Sequence, residues 1–479
     1  MKTLNKILLC FLLFFAAKLV AQDNTLYMLH QLPQANMLNP AVDFPCKYYI
    51  ELPVISSLKL AYNNTSFTYK EFIRQGTGSM SDSLVLDFDN IYNNLGRNNA
   101  IYTEIENVLV GAGFHWRKYF ITARLFHAHS EGLFYQKDLV RLKHGNWDPA
   151  SNSPVNFDLS RNEVNAVSYW GISLGISQQF TRALRLGARI SYLNGILNYS
   201  TRKSDLKIIT TEQPFVVDIN SSYDARSSFP AEFETDASGR VYLVRPITEN
   251  ILKNYIFNRN RGASVDFGLV YDYSPDLVFS ASILNLGFIR WKSNAYLFDA
   301  NSAIHLEGTD LEQYTTNTGT DLIEMLRDTV LHTYRTNMSP GKYFTALPVK
   351  IMAGSNYRLS NKIDLGLTGK LFIYNYATFP SLTATFNVKP VSFILISGSI
   401  SYANRTIKNI GFALIIGNER LNFYAISDNM PVNYVKDTGT GLIFPYQSRS
   451  VNLRFGLNLM FGCGKYKKPV QGAVCPAYD

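Results

Sequence analysis

The sequence predicts an all-β protein: a transmembrane antiparallel β-barrel of about fourteen strands (roughly 12 to 16), with long outer loops that carry short helices. Three observations predict it. Apolar and polar residues alternate through many stretches, tight and long connections alternate between those stretches, and an export leader stands in front.

The clearest strand is the last, residues 449–462, reading RSVNLRFGLNLMFG. Leu453, Phe455, Leu457, Leu459 and Phe461 fall on one face; Asn452, Arg454, Gly456, Asn458 and Gly462 fall on the other, with Met460 as the bulky exception. Side chains alternate across a strand, so one face suits hydrocarbon and the other a polar lumen. This strand is expected to close the barrel.

The leader spans residues 1–21. Lys2 and Lys6 make its basic start, residues 7–17 are an apolar run too short to cross a bilayer, and Ala21 before Gln22 offers a cleavage point. The chain is therefore expected in the outer membrane of a Gram-negative cell, in contact with its lipid. Both termini are expected on the periplasmic side. The leader holds Lys2, Lys6 and Lys18 and no acid, so its removal takes the formal charge from +9 to +6. No basic run interleaved with aromatics is present, which argues against nucleic acid as a partner. A composition 46% hydrophobic, 14% aromatic and only 17% charged suits a lipid-facing shell around a polar lumen.

Residues 22–45 lack long alternation and contain Pro33, Asn39 and Pro40; this lead segment is expected to plug the barrel or lie beneath it. The barrel is expected over residues 46–462 and a periplasmic tail over 463–479. Residues 46–62 make the first strand, with Pro53 as an interruption. Strands follow at 101–115, 119–130, 164–179, 184–198, 263–273, 277–291, 344–357, 362–375, 381–388, 391–403, 407–416 and 421–427. Residues 206–219 are also strand-like. Tight turns at 116–118, 180–183, 274–276 and 358–361 alternate with long insertions at 63–100, 131–163, 199–262 and 292–343. Within the insertions, residues 134–144, 246–257 and 321–334 carry helical spacing.

Four segments carry a family resemblance: LPQANMLNPAV in the lead, SASILNLGFIRW (280–291), FYAISDN (423–429) and the closing NLRFGLNLMFG. Together they resemble an uncharacterised Bacteroidota outer-membrane family akin to FadL-like barrels. The Asn-Pro-Ala near the mature start and Asn-Leu-Gly before a strand end are also similar to the PorV, PorQ and PorP/SprF barrels of type IX secretion. The resemblance runs from Leu32 to Gly462. It implies transport or binding of a hydrophobic or amphipathic small molecule. Its second implication is an accessory scaffold or shuttle that binds other cell-envelope proteins.

No G-x-S-x-G elbow or P-loop is present, and no catalytic, cofactor or metal residue is assigned; an enzyme is not expected. His127 and His129 share a strand face with Glu131, yet a polar barrel interior accounts for them. Arg185, Arg189, Asp364, Lys370 and Arg454 fall on lumen faces, because an arginine or lysine facing mid-membrane lipid costs roughly 2–4 kcal/mol. Three cysteines remain after processing. In a closed even-stranded barrel the first and last strands meet, so Cys46 and Cys463 are expected to bond across the seam; Cys463 with Cys475 is the alternative.

Overall fold

The computed structural model describes residues 24–463, except 53–54, 79–80, 82–83, 149, 213–215, 236–240, 248, 251, 308–335, 376, 419, 430–433, 437–442 and 447. The leader, Cys475 and the helical pattern at 321–334 therefore lie outside the described residues.

A closed antiparallel barrel of 14 strands organises the chain. Its strands are β1 in two pieces (Tyr48–Glu51 and Leu58–Asn64), β2 (Asn98–Trp116), β3 (Tyr119–Gln136), β4 (Glu163–Gln179) and β5 (Leu184–Thr211). Next come β6 (Arg261–Asp272), β7 (Leu277–Trp291), β8 in two pieces (Tyr343–Ala346 and Val349–Ser360) and β9 (Ile363–Tyr374). The last five are β10 (Ala377–Val391), β11 (Ile394–Ala403), β12 (Thr406–Gly417), β13 (Leu421–Asn429) and β14 (Ser450–Phe461). β14 pairs with β13 on one side and with both pieces of β1 on the other, so the main ladder has no open edge at the seam.

The alternation sorts cleanly by face. Ile172, Leu174 and Ile176 of β4, Phe267 and Leu269 of β6, and Leu382 and Phe386 of β10 point outward and are exposed. Ser173 and Ser177, Asp266, and Thr383 and Thr385 on the same strands are buried inside. An apolar outer belt on every side far exceeds what a water-soluble surface carries, and hydrocarbon is the solvent that suits it. No helix among the described residues is long and apolar enough to cross a membrane.

The first strand falls in two pieces, in keeping with the interruption expected at Pro53. Between its pieces Ser56 and Ser57 turn into the lumen, and the Ser56 carbonyl occupies the space that a side chain on Gly456 would fill. Against β5 the register of β4 shifts between Ser168 and Tyr169, with the extra residue, Ile196, in β5, while the ladder of β4 with β3 is unbroken. One expectation is corrected: among the described residues the long insertions are mostly strand rather than helix. β5 continues past the barrel to Thr211 and pairs with Val216–Ser228, which pairs with Ala295–Glu307 and then Thr336–Pro340, forming a projecting sheet. The pattern at 134–144 is strand through Gln136, followed only by short turns of helix at Asp138–Arg141 and Leu142–His144. That at 246–257 yields one π turn, Leu252–Ile256. The chain termini of the barrel and the tight turns share one end; the projecting sheet stands at the other.

Candidate functional site

The lead segment lies inside the barrel, and its two short helices are α1 (Asn24–Met28) and α2 (Ala35–Leu38). Asp428 of β13 accepts the backbone N–H groups of Asn24 and Thr25, each at 2.9 Å. A carboxylate there satisfies two of the donors that a helix start leaves open. The Asn24 amide donates to Ser381 (3.0 Å) and Thr383 (2.8 Å), and the Thr25 hydroxyl to Ser399 (2.9 Å). Leu26, Tyr27, Met28, Leu29, Leu32 and Leu38 then pack against the wall at Leu284, Met352, Leu395, Tyr424 and Ile426.

The return leg fits a niche without side chains. Gly187 of β5 and Gly268 of β6 are cross-strand partners, and a Cβ on either would strike the backbone or side chain of Asn39, Pro40 or Ala41. Asn39 donates to Leu269 O at 3.0 Å and accepts the Ala41 N–H at 2.9 Å. Asn36 donates to Pro40 O (3.1 Å) and Val42 O (2.8 Å), which fixes the turn.

Wall charges grip this segment. Arg124 donates to Glu51 (2.9 Å), to the Tyr49 hydroxyl (2.7 Å), to Asn36 (3.3 Å) and to Pro33 O (3.4 Å). Arg189 pairs with Asp266 at 2.6 Å and donates to the carbonyls of Asn36 (3.1 Å) and Met37 (2.7 Å), near the negative end of α2. Arg454 donates to Ser57 and Glu106, both at 2.9 Å, and lies 3.8 Å from the Met37 sulfur. Gln34 and Asn458 exchange amide hydrogen bonds of 2.6 and 3.0 Å. Buried guanidinium groups demand full hydrogen-bond partnership, and the lead segment's backbone supplies what the carboxylates do not.

At the tight-turn end, Asp43 lies 2.6 Å from His115 and 3.4 Å from Arg185. Cys46 and Cys463 are joined by a disulfide with Cα atoms 3.9 Å apart, tying the exit of the lead segment to both ends of the seam. A cavity of about 390 Å³ here is lined by Met28, Arg185, Arg358, Asp364 and Lys389.

Above the lead segment the opposite walls meet. Tyr102 of β2 and Phe134 of β3 pack against Phe372 and Tyr374 of β9 and Phe379 of β10, with the Tyr102 and Phe379 rings 4.6 Å apart. Tyr374 donates across the lumen to Asn165 O at 2.8 Å, and Lys350 of β8 bonds Glu104 of β2 at 2.9 Å. The β11–β12 turn, Asn404 and Arg405 at positive φ, leans in the same direction. Arg405 donates to Asn98 O at 2.7 Å and Asn404 to Asn63 at 3.1 Å. Below this aromatic layer remains a charged chamber of about 70 Å³, lined by Glu104, Glu106, Arg124, Arg189, Asp266 and Lys350.

Outside the layer lies a cleft of about 480 Å³. Its apolar lining includes Ala100, Phe134, Phe379 and Pro380, and its polar rim includes Arg161, Glu163, Asn375 and Arg405. The cleft exists because β11 ends at Ala403, opposite the middle of β10, so residues 377–381 have no ladder partner on that side. It is consequently lined from both faces of the wall, by inward Phe379 and by outward Thr378 and Tyr402.

The profile of a family of unknown function, DUF5723, matches residues 40–428, most of the barrel just described. The chain belongs to this family. Among solved structures, this DUF5723 chain is similar to the Ralstonia pickettii toluene transporter TbuX, at 10% identity and a TM-score of 0.41 over 90% of this chain and 94% of that one. It is also similar to a Pseudomonas aeruginosa FadL homologue, at 10% identity and a TM-score of 0.39 over 93% and 100% of the two chains. The Pseudomonas putida toluene transporter TodX is a third, at 9% identity and a TM-score of 0.36 over 89% and 92%. No curated protein matches.

In this DUF5723 barrel, Arg189 and Arg454 hold the lead segment directly, while Arg185 sits lower, beside Asp43. Asp364 faces the cavity at the tight-turn end, 3.9 Å from Arg358, and Lys370 is half-buried on the inner side of β9. Pro33, Asn39 and Pro40 are all buried. His127 bonds Ser168 at 3.0 Å and His129 lies 3.8 Å from Glu131; among the described residues no three potential metal ligands gather. Sequence reasoning missed Asp428, Glu51, Arg124 and the Gly187–Gly268 niche. A glycine on the polar face of two neighbouring strands was the visible signal for the niche; nothing in one strand marked Asp428 as a cap for a helix over 400 residues away.

Proposed function

We propose that this protein is an outer-membrane barrel that captures hydrophobic or amphipathic small molecules at its long-loop end and passes them when the aromatic layer and the lead segment move. The observation that carries the reading is the 480 Å³ cleft, whose size and apolar lining with a few polar groups suit a small ligand. Its continuity with the outward face gives an apolar guest a dry wall on which to arrive. The chamber beneath, about 70 Å³ and ringed by buried charges, is too small for such a guest, so release inward requires rearrangement of the lead segment. In this reading the termini and tight turns face the periplasm and residues 24–45 act as a plug.

A photoreactive alkyl amphiphile added to purified protein in nanodiscs tests the binding site. Labels should concentrate on inward Phe134 and Phe379, and Phe134→Ala with Phe379→Ala should lower that labelling roughly tenfold. Labels spread only over outward residues such as Leu382 and Phe386 would sink the proposal.

A second reading, a scaffold for other envelope proteins, draws on the sheet that β5 carries past the barrel. Crosslinking in intact cells through residues of Val216–Ser228 discriminates: a stable protein adduct favours the scaffold, and its absence favours ligand passage alone.

A further inference from the structure

Outward, at the long-loop border of the apolar belt, two arginines face each other. Arg261 of β6 and Arg290 of β7 are cross-strand partners on the lipid-side face, both exposed. Like charges directly opposite one another destabilise a sheet unless something neutralises them. The inward pair Lys59 and Arg454 has the same arrangement, but Glu104 and Glu106 neutralise it, each at 2.9 Å. The outward pair has no carboxylate among the described residues. Arg261 touches the side chain of Asn194, Asn260 O and the Tyr192 ring, and Arg290 lies over the Phe344 ring at 5.3 Å. Lys292 and Lys342 follow just above, also exposed.

The height of this cluster matters. From Tyr271 up to Arg261 the outer face of β6 is apolar through Leu269, Phe267 and Val265, and Phe279, Leu286 and Phe288 continue it on β7. Roughly ten residues at about 3.3 Å each, tilted about 40°, give a belt about 25 Å tall, the usual hydrocarbon span of such barrels. The guanidinium pair therefore stands where headgroups begin, flanked by outward Tyr192, Phe288 and Phe344. We propose that Arg261 and Arg290 form a binding site for the phosphate of an anionic lipid, its acyl chains lying on Phe288 and Phe344 and its phosphate bridging the two forks. The proposal rests on the membrane placement argued above.

The test uses the mature full-length protein in nanodiscs of phosphatidylcholine with a minor fraction of bis-phosphorylated lipid A, then gentle detergent extraction and native mass spectrometry. The wild type should retain lipid A in preference to phosphatidylcholine and to dephosphorylated lipid A. Arg261→Gln with Arg290→Gln should lower that retention at least tenfold, equivalent to the loss of one charge-assisted contact. Arg358→Gln, at the opposite end, should leave retention unchanged, and heat-modifiable gel migration reports that each variant is folded. Equal retention by the double variant, or no preference for the phosphorylated lipid, overturns the site. Displacement of lipid A by millimolar inorganic phosphate overturns the lipid as its occupant. Failure to enter any nanodisc would instead refute the membrane placement, so the two failures are distinguishable.

Discussion

At the scale of single residues, the lumen is held by charges that are complete only as a set. Glu51 is fully buried and depends on Arg124 and Gln34. Arg124→Ala strands that carboxylate, at a cost of about 3–5 kcal/mol. The temperature at which the heat-modifiable band shifts should fall sharply, and adding Glu51→Gln should restore part of the loss. No restoration would mean that Arg124 acts through something other than this pair. The glycine niche makes a second, independent demand. Gly187→Val puts two methyl groups into the path of Pro40 and Ala41, and overpacking of this kind costs about 1–3 kcal/mol. The barrel has its own ladder and should survive, while the lead segment loosens. Limited proteolysis should then cut within residues 24–45 in the variant and spare the wild type.

At the scale of elements, the β11–β12 turn decides how the long-loop end is closed. It is short, it leans inward, and its hold on the far wall is Arg405 to Asn98 and Asn404 to Asn63. Arg405→Ala should free the turn without unfolding the barrel, widening the cleft and raising labelling of Phe379 by a water-borne probe severalfold. Unchanged labelling would show the turn to be held by its own strands. The same element shows where sequence reading stops. Alternation placed β4, β7 and β14 within a residue or two, because period 2 between lipid and lumen is a strong local signal. The lean of a turn depends on a partner some 300 residues away, and nothing local encodes it. Likewise 134–144 has helical spacing, yet its first three residues are captured by the ladder of β3 with β2, since pairing outweighs propensity. The lumen charges were legible as inward-facing, because lipid excludes them. Which of them would meet the lead segment was not, because that requires the three-dimensional path of Asn24 to Cys46.

At the scale of the whole molecule, two barriers stand in series. The lead segment, anchored at Asp428, Arg124, Arg189 and the glycine niche, fills the lower lumen; the aromatic layer of Tyr102, Phe134, Phe372, Tyr374 and Phe379 closes the upper. Seam closure by β1, β14 and the Cys46–Cys463 bond holds the wall together independently of either barrier. Barriers in series show themselves by synergy, and ion conductance in planar bilayers measures it. The protein lacking residues 25–42 and carrying Tyr102→Ala and Phe379→Ala should open a steady pore. The wild type should stay closed, and each change alone should give at most brief, small openings. Full conductance from the deletion alone, or none from the combination in a barrel that still migrates as folded, would contradict the account.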